Sequence, residues 1–192
     1  MEPDMVYGDT PQKGFFEHLG GYFIEFIETI VVVGAIFALI YLFVAQFHKV
    51  SGQSMFPTMH NNDYLITEKV TYRFSAPKKG DIIVLKNPRD ESQDFIKRII
   101  ATPGDSVKVE NSSVYINGQL SIESYLPAGT ITRAAAFLRE GEQVKAGTNQ
   151  YFVFGDNRQH SSDSREWGPV TKEEIVGRAF FRYWPPKSMG LL

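Results

Sequence analysis

The segment FIKRIIATPGD, residues 95–105, combines a β-strand pattern with a tight turn. Residues 95–101 are rich in β-branched and aromatic side chains, which favour strands over helices. Residues 102–105, Thr-Pro-Gly-Asp, follow directly, and adjacent Pro and Gly are typical of turns. The segment therefore predicts a strand that ends at residue 101 and a chain reversal immediately after it.

Similar short runs continue through most of the chain after residue 48. They lie at 64–67, 81–85, 106–109, 114–116 and 151–154, and each is bounded by turn-forming residues. Asn117-Gly118 predicts a hairpin, because both residues tolerate the positive φ angles of a type I′ turn. The Ala-rich segment 131–142 is either a helical turn or a loop. We therefore predict a single, compact, mainly-β domain, with a sheet or barrel-like core, over residues 48–192.

A long apolar segment precedes this domain. TIVVVGAIFALIYLFVAQF, residues 29–47, contains no charged residue. As a helix it would reach roughly 28 Å, close to the bilayer core of about 30 Å. A cleavable signal peptide would need a basic upstream flank, whereas Glu17, Glu25 and Glu28 make this flank acidic. We predict an N-terminal tail over 1–21 and a transmembrane anchor helix over 22–47, while the balance of flanking lysines leaves the orientation open.

Composition excludes several classes of function. The 20 Lys and Arg nearly balance the 22 Asp and Glu, so no strong positive field favours nucleic acid. Cysteine is absent, which excludes disulfides, thiol nucleophiles and thiolate metal sites. No HExxH or paired-carboxylate pattern occurs, and we therefore predict no metal, no cofactor and no nucleic-acid partner.

Ser54, in the segment SGQSMFPT at 51–58, is the candidate nucleophile. A serine hydroxyl needs a nearby base. Among four histidines, His160 is the one to consider, because it lies within the polar segment GDNRQHSSDSR at 155–165. Lysine is the alternative base, provided that burial lowers its pKa from about 10.4.

Lys97 lies among apolar neighbours that would lower its pKa. In a strand it shares one face with Phe95 and Ile99, while Arg98 points to the other face, where we expect it to be solvated. Two ordinary basic residues at a strand edge are an equally good interpretation of this pattern.

Four segments occur in an order that favours the catalytic interpretation. SGQSMFPT, GDIIVLKNP, FIKRIIATPGD and YFVFGDNRQHSSDSREWGPV resemble the motif boxes of type I signal peptidases, the membrane-bound Ser/Lys proteases. The resemblance covers most of residues 50–105 and 151–178, and the single anchor is similar to that of the short members. It implies that Ser54 is the nucleophile and Lys97 the general base. It also implies cleavage of N-terminal signal peptides from exported preproteins at small-x-small (Ala-x-Ala) sites through an acyl-enzyme.

The resemblance extends to supporting residues. Ser161 matches the serine that orients the lysine, and Asp163 and Arg165 match the polar pair that supports its loop. Gly52 stands where some members have a serine that completes the oxyanion hole. We expect the hydroxyl of Ser51 or a neighbouring backbone N–H to act with the Ser54 N–H instead. The implied pockets for small substrate side chains involve Val50, Met55, Phe95 and Ile96.

Two other functions are compatible with parts of the sequence. A self-cleaving repressor of the SOS type would need a DNA-binding helix-turn-helix where this chain has an apolar segment. A membrane-tethered, non-catalytic β-domain that binds extended peptides remains the alternative, although both Ser54 and Lys97 are present. The family resemblance implies a monomer in the cell (inner or plasma) membrane, with a single pass and an extracytoplasmic catalytic domain. Its partners would be signal peptides and membrane lipid.

Overall fold

The computed structural model describes residues 15–192, with side chains described from residue 21 onward. Helix α1 spans Phe15–Phe43 and contains one segment, Gly21–Phe43, that is long and apolar enough to cross a membrane. The side chains of residues 21–43 are exposed. The chain divides into two compact units between Tyr41 and Leu42. Residues 1–14 of the predicted tail lie outside the described residues, and the helix begins before the predicted residue 22.

The anchor helix also ends earlier than the predicted residue 47. Strand β1 occupies Ala45–Lys49 and pairs antiparallel with β2, Tyr64–Glu68. The backbone groups of Phe47 therefore bond to the sheet, and the Val44 carbonyl accepts a bond from the Lys69 N–H. A charge-free apolar run does not separate a helix end from a half-buried strand, and this is why the predicted boundary was wrong.

The larger of two antiparallel sheets holds eight strands in the order β1-β2-β11-β3-β4-β9-β10, with β12 paired to β11. After β1 and β2 come α2 (Thr71–Phe74), β3 (Ile82–Asn87) and β4 (Asp90–Ala101). The smaller sheet, in the order β7-β6-β5-β8, contains β5 (Ser106–Glu110), β6 (Ser113–Ile116), β7 (Gln119–Leu120) and β8 (Gln143–Lys145). The remaining elements are β9 (Gln150–Phe154), α3 (Ser164–Trp167), β10 (Val170–Thr171), β11 (Ile175–Trp184) and β12 (Gly190–Leu191), with 3₁₀ turns at Lys172–Glu174 and Pro186–Ser188.

The mainly-β prediction is confirmed, and each predicted strand is present. Asn117 and Gly118 have φ angles of 53° and 79°, as the predicted hairpin requires. The segment 131–142 is an irregular loop without a helix. The long strand β11, which pairs with both β2 and β3, was not predicted.

Two hydrophobic clusters pack on opposite faces of β3 and position the site. One contains Ile83, Leu85 and Ile99, together with side chains from β9. The other contains Ile82 and Val84, together with Val50, Met55 and Leu65. A third cluster joins Phe152 and Phe154 of the larger sheet to Val107 and Val109 of the smaller one. Strand β4 runs between these clusters, because it contributes Ile99 to the first and Ile96 to the second.

Strand β4 has a partner strand on each side only where β3 and β9 meet at Arg98. Strand β3 pairs with Asp90 and with residues 94–98, whereas β9 pairs only with Arg98, Ile99 and Ala101. In the described part of the chain, residues 94–97 thus have one unpaired strand edge. An unpaired edge can accept an additional strand from another chain.

Candidate active site

Ser54 lies in a turn that is tied to the sheet and to a distant loop. The Val50 N–H donates to the Asp63 carbonyl over 2.8 Å, and buried Met55 inserts into the core beside it. The Asn157 N–H donates to the Ser54 carbonyl over 2.9 Å, and its side-chain amide donates to the Gln53 carbonyl over 3.1 Å. The turn around Ser54 is therefore held from two directions.

Lys97 is the titratable group that meets Ser54. Its Nζ lies 3.0 Å from the Ser54 Oγ, and the side chain is only 3% exposed. Burial lowers the pKa of Lys97 to about 8; the Asp163 carboxylate opposes this shift and the Arg165 guanidinium adds to it. A lysine with this pKa is partly neutral near pH 8 and can accept the hydroxyl proton.

The prediction that Arg98 is solvated is wrong. Arg98 is buried, and its Nε and Nη2 donate to the two carboxylate oxygens of Asp156 over 2.9 and 2.7 Å. Its third donor, Nη1, bonds to the Gly80 carbonyl over 2.9 Å. Asp156 also accepts a bond from the Thr58 hydroxyl over 2.5 Å. A buried guanidinium requires such partners, and the fold supplies them.

Asp163 and Arg165 form a second buried ion pair. Arg165 donates from Nε and Nη2 to the Asp163 carboxylate, each bond measuring 2.8 Å. The same carboxylate accepts the Gly155 N–H over 3.0 Å, and the Arg165 Nη1 donates to the Arg158 carbonyl over 2.8 Å. The pair fixes the loop at 155–165, which is the structural role that the resemblance implies.

The expected hydrogen bond from Ser161 to Lys97 does not occur in this structure. The Ser161 Oγ is buried and has no hydrogen-bond partner among the described residues. It packs against Gly155, where a Cβ would lie 2.2 Å from the Ser161 Oγ and 2.5 Å from the Ser54 carbonyl oxygen. Only glycine fits at this contact. Sequence reasoning overlooked Gly155, although it begins the polar segment that contains His160.

A groove of about 320 Å³ opens in front of Ser54 and Lys97. The four predicted pocket residues all line it, as does the predicted oxyanion residue Ser51. The other lining residues are Lys49, Gly52, Gln53, Asp94, His160 and Ser162. The unpaired edge of β4 thus lies along this groove. Ser161, Asp163 and Arg165 lie beside a separate pocket of about 200 Å³.

A family model described as "Signal peptidase, peptidase S26" matches residues 23–184. The chain belongs to this signal peptidase family. A probable signal peptidase I-2 of a Synechocystis species is 44% identical over 156 residues, which cover 78% of this chain and 68% of that protein. A probable signal peptidase I-1 of the same organism is 38% identical over 88% of this chain and 86% of its own length. Signal peptidase IB of Staphylococcus aureus is 30% identical over 84% of this chain and 91% of that protein.

The resemblance drawn from the four segments is thereby confirmed for the family and for the enzyme class. The chain is a signal peptidase I enzyme, a serine protease that removes signal peptides. Among residues 15–192, no group of His, Asp and Glu side chains is arranged to hold a metal ion.

The backbone around Ser54 limits the donors of an oxyanion hole in this signal peptidase. Gly52 has a φ of 99°, and its N–H donates to the Asn61 side chain over 2.9 Å. Neither the Ser54 N–H nor the Gln53 N–H has an acceptor within the described part of the chain. These two N–H groups and the Ser51 hydroxyl are therefore among the donors available near the Ser54 Oγ.

His160 lines the groove, but the described contacts place no hydrogen bond on its ring. The titratable side chain within hydrogen-bond distance of the Ser54 hydroxyl is that of Lys97.

Proposed function

We propose that this signal peptidase cuts preproteins with a catalytic dyad of Ser54 and Lys97. The observation that carries the proposal is the 3.0 Å contact between the Ser54 Oγ and the Nζ of a lysine that is 3% exposed. A hydroxyl needs a base at this distance, and a buried amine is a base of useful strength near neutral pH.

In this mechanism, neutral Lys97 accepts the Ser54 proton while the Oγ attacks the scissile carbonyl carbon. The protonated amine then donates its proton to the leaving amino group of the mature protein, which departs and leaves an acyl-enzyme. Neutral Lys97 next takes a proton from water, and the resulting hydroxide attacks the ester. Return of that proton to the Ser54 Oγ releases the signal peptide and restores the dyad.

We further propose that the substrate adds as a strand to the unpaired edge of β4 at residues 94–97. Main-chain bonds to this edge would supply affinity, and alternate side chains would point into the groove. Val50, Met55 and Ile96 belong to one packed cluster and line the groove, and this apolar lining supports recognition of uncharged side chains. We propose that cleavage occurs at small-x-small sites, such as Ala-x-Ala, as the family resemblance implies.

The oxyanion of the tetrahedral intermediate would be bound by the Ser54 N–H and the Ser51 hydroxyl. Ser51 is exposed and lines the groove, whereas the Gly52 N–H is already bonded to Asn61. If Ser51 has this role, Ser51→Ala lowers kcat by about 10²–10³-fold. Full activity in that variant would exclude the Ser51 hydroxyl and assign the second bond to a neighbouring backbone N–H.

For location, we propose that α1 anchors the enzyme as a single membrane pass, with the β domain on the extracytoplasmic side, as a monomer in contact with lipid. Ser54 is eleven residue steps beyond Phe43, so the chain limits their separation to about 40 Å. A signal peptide whose apolar core stays in the bilayer presents its cleavage site within such a distance.

The test uses the full chain in proteoliposomes and a preprotein with one Ala-x-Ala site. We expect cleavage at that site by the wild type and none by Ser54→Ala or Lys97→Ala, with His160→Asn retaining activity. Cleavage that survives Lys97→Ala but not His160→Asn would assign the base to His160. Binding of the peptide without cleavage by the wild type would instead favour the non-catalytic peptide-binding domain.

A further inference from the structure

The loop that follows β7 contacts a buried arginine, Arg158, in the segment 155–165. Glu123 lies three residues beyond β7, and its carboxylate forms a bidentate ion pair with Arg158, in which one bond, Nη1 to Oε2, measures 2.7 Å. The Arg158 side chain is 0% exposed and that of Glu123 is 12% exposed. The Tyr125 hydroxyl donates to the same carboxylate over 2.8 Å.

Arg158 in turn holds the peptide of Gly155. Its Nε donates to the Gly155 carbonyl over 3.2 Å, and its Nη1 also donates to the Thr132 hydroxyl over 2.8 Å. The Gly155 N–H, on the other side of the same residue, bonds to Asp163 over 3.0 Å. Both polar backbone groups of Gly155 are therefore fixed by charged side chains.

Gly155 is in close contact with the nucleophile. A Cβ on Gly155 would lie 2.5 Å from the Ser54 carbonyl oxygen and 2.2 Å from the Ser161 Oγ. Two residues later, the Asn157 N–H bonds to the same Ser54 carbonyl over 2.9 Å. The Ser54 backbone holds the Oγ 3.0 Å from the Lys97 Nζ. A shift of Gly155 would therefore displace this backbone and change the distance between the two atoms.

We propose that Glu123 is a positioning residue of the proteolytic reaction, acting through Arg158 and Gly155 on the backbone of Ser54. The proposal rests on the Ser54–Lys97 dyad proposed above. Arg158 is buried and donates hydrogen bonds to four groups: the Glu123 carboxylate, the hydroxyls of Tyr125 and Thr132, and the Gly155 carbonyl. In the described part of the chain, only the carboxylate of Glu123 balances its charge at contact distance. Burial by itself would lower the pKa of Arg158, but the bonds and charge of Glu123 outweigh it and raise that pKa.

The position of Glu123 separates this role from substrate binding. Glu123 and Arg158 do not line the groove in front of Ser54. A change at Glu123 should therefore act on the chemical step and leave substrate affinity unaltered. Misplacement of a reacting group by about 1 Å costs on the order of 10²-fold in rate, which sets the scale of the effect.

The experiment measures single-turnover acylation of the full chain in proteoliposomes, together with kcat, KM and the thermal midpoint. Glu123→Gln keeps the shape of the side chain and removes its charge. We expect acylation and kcat to fall about 10–100-fold, with KM within about twofold of the wild type. Glu123→Asp restores the charge and should recover part of the lost rate.

Glu110→Gln is the matched control. Glu110 pairs with Lys108 over 2.7 Å in the smaller sheet, at a more exposed position, so the variant makes the same charge change without a link to Gly155. Its acylation rate should equal that of the wild type. If Glu123→Gln is too unstable to assay, Tyr125→Phe removes the hydroxyl that donates to the Glu123 carboxylate and accepts from Arg158 over 3.2 Å, while it leaves the ion pair in place. We expect a fall of about threefold in the acylation rate.

Two outcomes would overturn the proposal. One is a Glu123→Gln enzyme that is folded and acylates at the wild-type rate, even with a lower thermal midpoint, because Glu123 would then only stabilise the loop. The other is an equal fall in the Glu110→Gln control. Failure of the dyad itself is distinguished by the wild type and Ser54→Ala, which would then give the same rate.

Discussion

Lys97 and Arg98 are consecutive residues on β4, and both side chains are buried, with 3% and 8% exposure. The surroundings of Arg98 stabilise its positive charge, whereas those of Lys97 favour the neutral amine. Arg98 meets the Asp156 carboxylate through two hydrogen bonds of 2.9 and 2.7 Å. The Lys97 Nζ meets the neutral hydroxyl of Ser54 at 3.0 Å and the ring of Phe95, whose centroid is 4.8 Å away.

The difference shows how one strand can hold a structural cation next to the proposed catalytic base. On the Arg98 side, burial and a matched anion keep the charge in place. On the Lys97 side, burial dominates over the Asp163 carboxylate and lowers the pKa to about 8. Alternation along the strand places these environments on opposite faces, so the two adjacent residues have different hydrogen-bond partners, although the Asp156 charge also opposes the lowering of the Lys97 pKa.

The largest effect should come from removing the ion pair between Arg98 and Asp156, and it should appear in the free energy of unfolding. Arg98→Met leaves the Asp156 carboxylate, which is 0% exposed, without its cation. Removing one partner of a buried pair costs about 3–5 kcal/mol, and we expect this loss in the free energy of unfolding from urea denaturation. The control is Lys108→Met, whose partner Glu110 is 38% exposed, with an expected loss of about 1 kcal/mol or less. Equal losses in the two variants would remove the contrast between the buried and the exposed pair.

Replacing Lys97 should instead stabilise the folded protein. The folded-state pKa of about 8 lies below the ordinary lysine value of 10.5. Below pH 8, Lys97 is charged in both states, and the folded protein bears the cost of burying the charge. Lys97→Met removes this cost, and we expect a gain of about 1–3 kcal/mol at pH 7, together with loss of activity.

The pH dependence of folding stability also tests whether the pKa of Lys97 is lowered. Between pH 8 and 10.5 the unfolded chain binds more protons at Lys97 than the folded chain does, so wild-type stability should rise through this window. The Lys97→Met variant should lack that rise. Urea denaturation at pH 7, 8.5 and 10 measures both slopes, and parallel slopes would contradict a lowered pKa at Lys97.

Local patterns predicted much of this fold, and its omissions have a physical cause. The runs around β2, β3 and β9 were recognised because β-branched residues lie between turn formers. Strand β11 was missed, since Gly177, Arg178 and Arg182 interrupt its apolar pattern while long-range pairing with two strands stabilises it. Strand β1 was assigned to the helix because its apolar residues continue the charge-free run.

The candidate site also contains some residues that local motifs predict and some contacts that they do not. Ser54 and Lys97 could be identified because their motifs are short and contiguous. The partner of Arg98 is Asp156, 58 residues away, and no local pattern reports such a pairing. The ion pair between Glu123 and Arg158 spans 35 residues and depends on how the loop after β7 folds back. Alternation placed Arg98 on the correct face, but only the tertiary structure shows that this face is buried.

The smallest effect should come from replacing Phe95, whose ring contacts the Lys97 amine, and it should appear in the pH dependence of the rate. A catalytic base with a pKa of about 8 makes the single-turnover rate fall about tenfold per pH unit below pH 8. The Phe95 ring lies 4.8 Å from Nζ and stabilises the charged amine. Such a contact is worth about 0.5–1 kcal/mol at an exposed site and about 2 kcal/mol when desolvated, so at this buried amine Phe95→Leu should lower the apparent pKa of the rate by about one unit.

The control for this shift is Tyr64→Leu, which removes a ring from beside a different lysine, Lys49, at 5.8 Å. Its rate profile should keep the wild-type midpoint, because Lys49 forms no part of the dyad. An unchanged midpoint in Phe95→Leu would show that the ring contributes nothing to the charge of Lys97. A midpoint that rises would mean that the ring acts by excluding water from the amine, since loss of burial returns a lysine pKa toward 10.5.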